Sequence, residues 1–379
     1  MNEAKYSALH KALRSDILSG KYVPGKLLPS ENALTRRFGV SRSTVQQAFR
    51  ELEKIGLITR SRGRGTFVTA ASVPRKIGLI LPGLAYSEFF EPIASALIRY
   101  ARERDCVLFF SDVFSKDARK RGKEAVERAR DLVAHHVSGV LFQPLEGFAG
   151  CEDANRQVLS ILRENGIQVV LLDSDYAPRL LRSGYDVVSL NNLEAGVQLT
   201  RHLVEQGAKN IHFLRWPDHS PSVGEREFGM SVVLSQATGR RSEKKGARSL
   251  VADPNDVEAV RRYCRKNRPD AFICATDMAA AQLKQSLERC GKRVPDDVLL
   301  AGFDDVRVAR FMTPSLTTIR QPCEDIARLA FNRLLDRLEN SSLAAAEISL
   351  YGTLVVRMST RRPTGKGKAG NSRKKGMSG

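Results

Sequence analysis

The sequence predicts an α/β protein with two parts: a small helical module, followed by a larger body in which strands and helices alternate. Three observations lead to this prediction. The beginning of the chain has three helical patterns, separated by turns rich in glycine and proline. From residue 76 onward, short apolar runs alternate with amphipathic segments. Lysine and arginine are concentrated at the two ends of the chain.

The charge distribution indicates a partner for the N-terminal module. The chain of 379 residues has 61 Lys and Arg against 42 Asp and Glu, a formal net charge of +19. Residues 1–76 hold 15 basic and 5 acidic residues, and the last 19 residues hold 7 basic and no acidic ones. The body between them is close to neutral. A charge that served solubility would be spread more evenly, so this pattern favours a polyanion as the partner.

Composition argues against a membrane, secreted or metal-binding protein. The longest apolar runs, such as 77–81 and 169–172, have the length of strands and are far shorter than the roughly 20 residues that span a bilayer. The first residues lack the apolar core of a signal peptide, so we expect a cytoplasmic protein without a membrane partner. The cysteines form no CxxC pair and have no histidine at metal spacing, which predicts reduced structural thiols and neither metal nor cofactor: Cys106, Cys151, Cys264, Cys274, Cys290 and Cys323.

Three helices are predicted in the N-terminal module. Apolar residues at helical spacing favour a first helix over residues 5–19. Ser30 and Gly39 are typical residues for the start and the end of a second helix. Ser41 is expected to cap a third helix, which runs to Gly56.

The third helix has an apolar and a polar face. We expect the apolar face to be buried: Val45, Ala48, Phe49, Leu52 and Ile55. The opposite face has side chains that suit DNA: Arg42, Ser43, Gln46, Gln47 and Arg50. Arginine pairs in a bidentate way with guanine, and glutamine with adenine, in the major groove.

A two-stranded wing is predicted after the third helix. Apolar pairs, Leu57-Ile58 and Phe67-Val68, flank a basic, glycine-containing turn over 60–65 that can contact the minor groove or the DNA backbone. A solvated helical hairpin is the alternative interpretation. It accounts for one amphipathic helix but poorly for three helices with turn glycines and a basic wing.

The motifs PSENAL, VSRSTV, LEKIGLI and RGRGTFV closely resemble the winged helix-turn-helix of GntR-type bacterial transcription regulators over residues 5–69. This resemblance implies DNA contacts at nine positions: Asn32, Ser41, Arg42, Ser43, Thr44, Gln46, Arg62, Gly63 and Arg64. The polar face of the third helix adds Gln47 to this prediction. The family often has arginine where this chain has Gln46, which suggests the hypothesis that base preference here is shifted toward adenine.

The body is predicted to contain parallel sheets covered by helices. Strands are expected at 77–81, 107–110, 139–142, 169–172, 187–190, 211–214, 271–274 and 298–303. Helices are expected at 89–104, 117–136, 152–165, 194–206, 223–238, 255–267 and 278–290. The body, residues 76–362, is too long for one doubly wound sheet, so two similar lobes are expected.

Acidic and aromatic residues follow the predicted strands. Ligands of such folds bind outside the carboxyl ends of the strands. Carboxylates beside aromatic rings suit a sugar, whose hydroxyls donate to Asp while its C–H face packs on a ring. A single Asp at a strand end is more often a helix cap. The shared position of these residues favours a binding site: Asp112, Asp173, Trp216, Asp277, Asp304 and Asp305, with Phe89 and Phe90 after the first strand.

The body also resembles the sensor domain of LacI/GalR-type regulators, which is similar to periplasmic sugar-binding proteins. The motifs are KIGLILPG, VVLLDSD, SVGEREFGM, DAFICATDMAAAQL, GFDDVRVARFMTPSLTTIRQP and LVVRMST, within residues 76–362. The resemblance implies effector contacts at Arg226, Asp304 and either Thr276 or Asp277, with Asp173 and Phe89 as further candidates. Residues 240–248 match the family poorly.

These resemblances imply four segments: a DNA-binding domain at 1–69, a linker at 70–75, a two-lobed periplasmic-binding-protein-like sensor at 76–362 and a disordered basic tail at 363–379. The combination resembles arabinose-repressor-like regulators. We therefore expect a homodimeric transcriptional regulator, a repressor, that binds double-stranded operator DNA. A small-molecule effector, expected to be a sugar, would bind between the lobes and control operator affinity.

Two other functions remain open. An α/β enzyme is one, although the chain has no GxGxxG after the first strand, no GxxxxGK[ST] and no GxSxG motif. A DNA-binding regulator with a degenerate, ligand-independent sensor pocket is the other. It would bind its operator equally well with and without the ligand, and an Arg226 variant would behave as the wild type does.

Overall fold

The computed structural model describes residues 2–18, 21–61, 63–69, 74–81, 88–115, 117–177, 182–238 and 248–362. These form two compact units. The first comprises Met1–Leu190 with Pro322–Leu350, and the second Asn191–Gln321 with Tyr351–Gly379. The predicted tail at 363–379 and most of the predicted linker lie outside the described residues. Among the described residues, no helix is long and apolar enough to cross a membrane.

The N-terminal module has the three predicted helices, α1 (Asn2–Leu18), α2 (Glu31–Phe38) and α3 (Arg42–Lys54). Ser30 caps α2 by accepting the N–H of Ala33 at 3.3 Å, and Gly39 ends it with φ of 59°. Ser41 caps α3 by accepting the N–H of Thr44 at 3.2 Å. Both caps satisfy N–H groups that have no partner within the helix, which confirms these helix starts.

The apolar stripe of α3 is buried at Val45, Ala48, Phe49 and Leu52. Ile55 was expected to belong to this stripe, but it is 52% exposed. The reason is that α3 ends at Lys54, and Ile55 is the C-cap residue, where the chain leaves the helix. Its side chain therefore no longer follows the helical spacing that brings the other four to the core.

The predicted wing is present as two antiparallel strands, β1 (Ile58–Ser61) and β2 (Gly65–Val68). Leu27 bridges to Phe67 of β2. Gly65 has φ of +111°, and a Cβ there would lie 2.6 Å from Leu27. Glycine is therefore needed where the wing meets the segment before α2.

The first unit has one six-stranded, fully parallel sheet with strand order β13-β7-β6-β5-β3-β4. Its strands are β3 (Arg75–Ile80), β4 (Cys106–Phe110), β5 (Gly139–Phe142), β6 (Gln168–Leu172), β7 (Asp186–Leu190) and β13 (Glu347–Leu350). Its helices are α4 (Phe90–Glu103), α5 (Ala118–Ala134), α6 (Cys151–Glu164) and α12 (Cys323–Glu339).

The second unit has another six-stranded sheet, with order β14-β12-β11-β10-β8-β9, in which only the edge strand β14 is antiparallel. Its strands are β8 (Ile211–Arg215), β9 (Ser249–Val251), β10 (Ala271–Cys274), β11 (Leu299–Asp304), β12 (Thr317–Arg320) and β14 (Thr353–Val355). Its helices are α7 (Asn192–Glu205), α8 (Pro221–Thr238), α9 (Val257–Asn267), α10 (Asp277–Arg289) and α11 (Arg307–Phe311).

The two sheets repeat one topology. In each six-stranded sheet the first five strands along the chain have the order 2-1-3-4-5, the doubly wound arrangement in which ligands bind where the strand order reverses. In the second unit this switch point lies at the carboxyl ends of β8 and β10. The structure thus confirms the predicted α/β class with two similar lobes.

The predicted elements do not include one strand before residue 303, β9, or six elements after it: α11, β12, α12, β13, β14 and a 3-10 helix at Met358–Thr360. The missed strands have three or four residues and each begins with a polar residue, so they lack the continuous apolar run of the equally short β5 and β10. α12 could have been found, because Ile326, Ala330 and Leu334 recur at helical spacing and are fully buried. They pack in the core of the first unit with Ile93 and Leu97 of α4.

Candidate nucleic-acid interface and effector site

The polar face of α3 is open to solvent. The side chain of Arg42 is 71% exposed, and Ser43, Gln47 and Arg50 are exposed as well. Gln46 is half-buried. The Val45 side of the helix packs in the core, so this polar face is free to meet a partner.

The hydroxyls at the start of α3 are joined in a small network. Ser41 Oγ lies 2.8 Å from Ser43 Oγ and 2.7 Å from Thr44 Oγ1. Thr44 is only 6% exposed, so its hydroxyl serves the cap, whereas Ser41 and Ser43 are exposed. The helix start therefore presents two hydroxyls and free N–H groups to solvent, an arrangement that suits a phosphate.

The remaining predicted contacts lie on α2 and the wing. Asn32 is exposed on the first turn of α2. Gly63 has φ of +78° at the wing tip, and Arg64 beside it is exposed. Arg62 lies outside the described residues. The described members of the predicted DNA face thus belong to α2, α3 and the wing of one small module.

Sequence reasoning missed the central residue of this face, Glu31. Its Oε2 accepts Nε–H of Arg42 at 2.8 Å and Nε2–H of Gln46 at 3.1 Å, and its Oε1 accepts Nη2–H of Arg60 at 3.0 Å. The hydrogen bond from Arg42 is the main reason why the pKa of Glu31 lies below its usual value. The sequence does not show this role, because spacing along the chain does not reveal contacts between α2, α3 and β1.

Arg226 is the centre of the second candidate site. It lies on α8 and is only 4% exposed. Its Nε donates to Oδ1 of Asn192 at 2.8 Å, and its Nη1 donates to the carbonyl of Ala275 at 2.7 Å and lies 3.7 Å from Oδ1 of Asp304. The guanidinium carbon lies 4.5 Å from the ring centre of Phe303. The side chain is therefore fixed in one orientation at the carboxyl end of the sheet.

Close packing of α7 against α8 places Arg226. A Cβ at Gly196 would lie 2.2 Å from the carbonyl oxygen of Arg226, and a Cβ at Gly229 would lie 2.2 Å from the carbonyl oxygen of Leu193. Any side chain at either glycine would force the helix backbones apart. These two glycines thus set the depth at which Arg226 enters the unit.

Asp304 and Gln321 complete the group around Arg226. Gln321 Nε2 donates to Oδ1 of Asp304 at 2.7 Å. Burial raises the pKa of Asp304, while Arg226 and Gln321 act in the opposite direction. Gln321 is 4% exposed, and its Oε1 accepts no hydrogen bond from the described residues. A buried acceptor without a protein donor can accept a hydrogen bond from a ligand or a water. Gln321 lies in the motif PSLTTIRQP, but the sequence alone gives it no role.

Asp277, a further candidate effector contact, is fully buried. Its Oδ1 accepts the hydroxyl of Thr318 at 2.6 Å, its Oδ2 accepts the N–H of Val306 at 3.1 Å, and a Cβ at Gly302 would lie 2.5 Å from Oδ1. Asp277, at the start of α10, is therefore held by β12 and by the segment after β11, and its role as an effector contact stays a prediction. Thr276 caps α10 by accepting the N–H of Ala279 at 3.2 Å and is half-buried, so its role as a contact stays a prediction.

Asp305, next to Asp304, has a different role. Its Oδ2 lies 2.7 Å from Arg320 and 3.4 Å from Arg310, and its Oδ1 accepts a hydrogen bond from Arg357. Burial alone would raise its pKa, but the hydrogen bonds from Arg357 and Arg320 outweigh burial and lower it. Asp305 thus stabilises the edge of the second sheet.

Asp173 and Phe89 belong to the first unit. Asp173 is 8% exposed at the carboxyl end of β6, with φ of 68°. Phe89 is half-buried and contacts Phe90 edge-on, with ring centres 4.8 Å apart. Gln143, after β5, is 6% exposed with an Oε1 that accepts nothing from the described residues. The carboxyl edge of the first sheet thus also carries buried polar groups.

Together, the fold and the two sites define a DNA-binding transcriptional regulator with a sensor of periplasmic-binding-protein type. Family models agree. Residues 5–68 match bacterial regulatory proteins of the gntR family, and residues 200–360 match the periplasmic binding protein-like domain.

Relatives extend these matches over most of the chain. The arabinose metabolism transcriptional repressor of Geobacillus stearothermophilus is 26% identical over 373 residues, which are 94% of this chain and 98% of the relative. The HTH-type transcriptional repressor PurR of Salmonella arizonae is 31% identical over 287 residues, 75% of this chain and 80% of the relative. The transcriptional regulator CelR in complex with cellobiose has the same fold, with a TM-score of 0.63 and 22% identity over 88% of this chain and all of CelR. The chain belongs to the LacI family of bacterial transcriptional regulators, with a GntR-type DNA-binding module.

Proposed function

We propose that this regulator is a repressor that releases its operator when a neutral sugar binds at the carboxyl end of the second sheet. One observation carries this proposal. Arg226 is buried and held by three oxygen atoms, next to the free acceptor of Gln321. A buried guanidinium oriented in this way is suited to hydrogen-bond a polar ligand, and that role accounts for its burial better than stability does.

The charges of this site favour a neutral ligand rich in hydroxyls. The positive charge of Arg226 is balanced by Asp304, 3.7 Å away. An anionic ligand such as a sugar phosphate would meet the Asp304 carboxylate and lose the benefit of Arg226. Gln321 Oε1 can only accept, so the ligand must donate. A sugar hydroxyl both donates and accepts, so it can donate to Gln321 Oε1 and accept from the guanidinium of Arg226.

The relatives support a sugar. One has arabinose metabolism in its name, and the structure of another is a complex with cellobiose. Pentoses and disaccharides are therefore the first ligands to test, and we propose a sensing role without catalysis.

The DNA side of the proposal uses the exposed residues of α3 and the wing. Arg42, Gln46 and Gln47 are proposed to read bases, and Ser41, Ser43 and Arg64 to contact phosphate or the minor groove. We propose that two copies bind a two-fold operator in the cytoplasm. We propose that residues 1–69 form the DNA-binding domain and residues 76–362 the sensor.

The test is a screen of pentoses, hexoses, disaccharides and sugar phosphates by thermal shift, followed by titration of an operator complex. The operator comes from selection on random duplexes. We expect one neutral sugar to raise the melting temperature and to weaken operator binding by about 5- to 150-fold. Arg226→Lys should bind the operator, but the sugar should change neither its melting temperature nor its operator affinity. Arg310→Lys, at an exposed arginine of the same unit, should show the same sugar-induced changes as the wild type. A response restricted to sugar phosphates, or tighter operator binding with sugar, would refute the proposal.

A further inference from the structure

Glu31 places a negative charge in the middle of the proposed DNA face. We propose that Glu31 is a positioning residue for base reading: it fixes the amide of Gln46 and holds Arg42 and Arg60, so that base discrimination depends on it more than overall DNA affinity does. This inference rests on the proposed function, in which the polar face of α3 reads DNA.

The contact with Gln46 determines which amide atoms face outward. Nε2 of Gln46 has two hydrogens and gives one to Oε2 of Glu31 at 3.1 Å. The second hydrogen and Oε1 remain for a base. Together they form the fork that matches N7 and the N6 amino group of adenine. Without Glu31, the amide can turn over and present the reverse pattern, because its two ends have nearly the same shape.

The two arginines connect the reading helix with the wing through the same carboxylate. Arg42 belongs to α3 and Arg60 to β1, and they bind different oxygens of Glu31. Arg60 has two further contacts. Its guanidinium carbon lies 5.9 Å from the ring centre of Phe49, and its backbone N–H donates to Oε1 of Glu53 at 3.1 Å. Glu31 thus fixes how α3 and the wing sit relative to each other within the module.

Stability alone explains this arrangement poorly. Exposed ion pairs contribute little to stability, and Arg42 is 71% exposed. A negative charge on a DNA-binding face also repels phosphate and lowers affinity for any sequence. A residue that lowers general affinity but orients two proposed base-reading side chains, Arg42 and Gln46, has the properties of a specificity determinant.

The experiment compares Glu31→Gln with Glu51→Gln. Both variants remove one negative charge from the module, but Glu51 is an exposed residue of α3 that makes none of these contacts. A glutamine at position 31 keeps the size of the side chain and directs an N–H donor at groups that are themselves donors. Each full-length protein is used to select from a random duplex library. Its affinity is then measured for the selected operator and for an unrelated duplex at the same salt concentration.

We expect Glu31→Gln to bind the unrelated duplex as tightly as the wild type or more tightly, while its preference for the operator falls by about tenfold. The lost preference should concentrate at the base pair that Gln46→Ala also affects. The double variant should therefore be no worse at that base pair than Gln46→Ala alone. Glu51→Gln should keep the full preference.

Two results would overturn the inference: Glu31→Gln with the same operator preference as Glu51→Gln, or additive effects of Glu31→Gln and Gln46→Ala. A loss of melting temperature in parallel with the loss of preference would point to a purely structural role and would also overturn it. Failure of the proposed function looks different, since Arg42→Ala and Gln46→Ala would then leave operator binding unchanged.

Discussion

Nη1 of Arg226 lies 3.7 Å from Oδ1 of Asp304, and the same carboxylate oxygen accepts a hydrogen bond from Gln321 at 2.7 Å. Asp304 therefore binds two donors from different parts of the chain, and both are nearly fully buried. Oε1 of Gln321 is left without a donor among the described residues.

Gln321→Leu is expected to weaken sugar binding by about tenfold, since one buried hydrogen bond to the ligand is lost and Asp304 loses a donor. Isothermal titration with the sugar identified by the screen measures this effect. Gln282→Leu is the matched control, because Gln282 is a half-buried amide on α10 that also has an Oε1 without a partner among the described residues. Equal losses in both variants would contradict a direct role of Gln321.

Gly196→Ala is expected to lower the free energy of unfolding by about 1–3 kcal/mol and to reduce sugar affinity, because the new Cβ displaces the backbone of Arg226. Urea unfolding and titration measure the two effects. Gly224→Ala on α8 is the control. Its Cβ would meet only His219, at 3.7 Å, and alanine favours the helix. If both variants were as stable as the wild type, the close helix contact would not exist in solution.

Asp277→Ala is expected to destabilise the protein by about 1–3 kcal/mol, because the hydroxyl of Thr318 and the N–H of Val306 lose a buried acceptor. Sugar affinity of the folded protein should remain close to that of the wild type. Thr318→Val should show a smaller loss of stability. A variant of normal stability that no longer binds the sugar would instead show that Asp277 contacts the effector.

His212 makes stability depend on pH. Burial, aided by Arg248, lowers the pKa of His212 to about 4 from 6.5. Between these two pKa values His212 binds a proton in the unfolded chain but not in the folded protein. The free energy of unfolding therefore falls as pH decreases from 6.5 toward 4, by up to about 1.4 kcal/mol per pH unit. Nδ1 lies 2.7 Å from the hydroxyl of Tyr263, and Nε2 lies 3.0 Å from Oδ1 of Asn210, which fits the neutral ring.

Urea unfolding at several pH values between 7 and 4.5 tests this expectation. His212→Asn should flatten the decrease, whereas His136→Asn, at an exposed position, should leave it unchanged. If the free energy of unfolding of His212→Asn fell with decreasing pH as steeply as that of the wild type, other groups would cause the acid sensitivity.

Arg64→Ala is expected to weaken binding to every DNA sequence by a similar factor and to reduce the slope of log affinity against log salt by about 0.9, which corresponds to one lost phosphate contact. Fluorescence anisotropy at several salt concentrations measures the slope. Arg102→Ala, which removes an exposed cation of α4, should leave the slope unchanged. A change in base preference instead of the slope would place Arg64 at a base edge.

Prediction from sequence succeeded where the signal is local. The caps at Ser30 and Ser41, the turn at Gly39 and the alternation of apolar strands with helices all depend on residues close in sequence. Ile55 was misplaced for the same reason, since periodicity does not show where a helix ends. Arg226 was predicted only from the motifs of a known family, whereas Asp304 was predicted also from its position after a predicted strand.

The sequence by itself determined the α/β class, the DNA-binding module and the basic charge at its ends, because these follow from periodicity, capping and composition. Only the tertiary structure showed that Glu31 joins Arg42 to Arg60 and that Asp277 accepts the hydroxyl of Thr318. It also showed that Oε1 of Gln321 has no donor among the described residues. These facts depend on which side chains meet across distant segments. Such contacts are determined by the packing of helices and strands, as at Gly196, and no local sequence pattern predicts them.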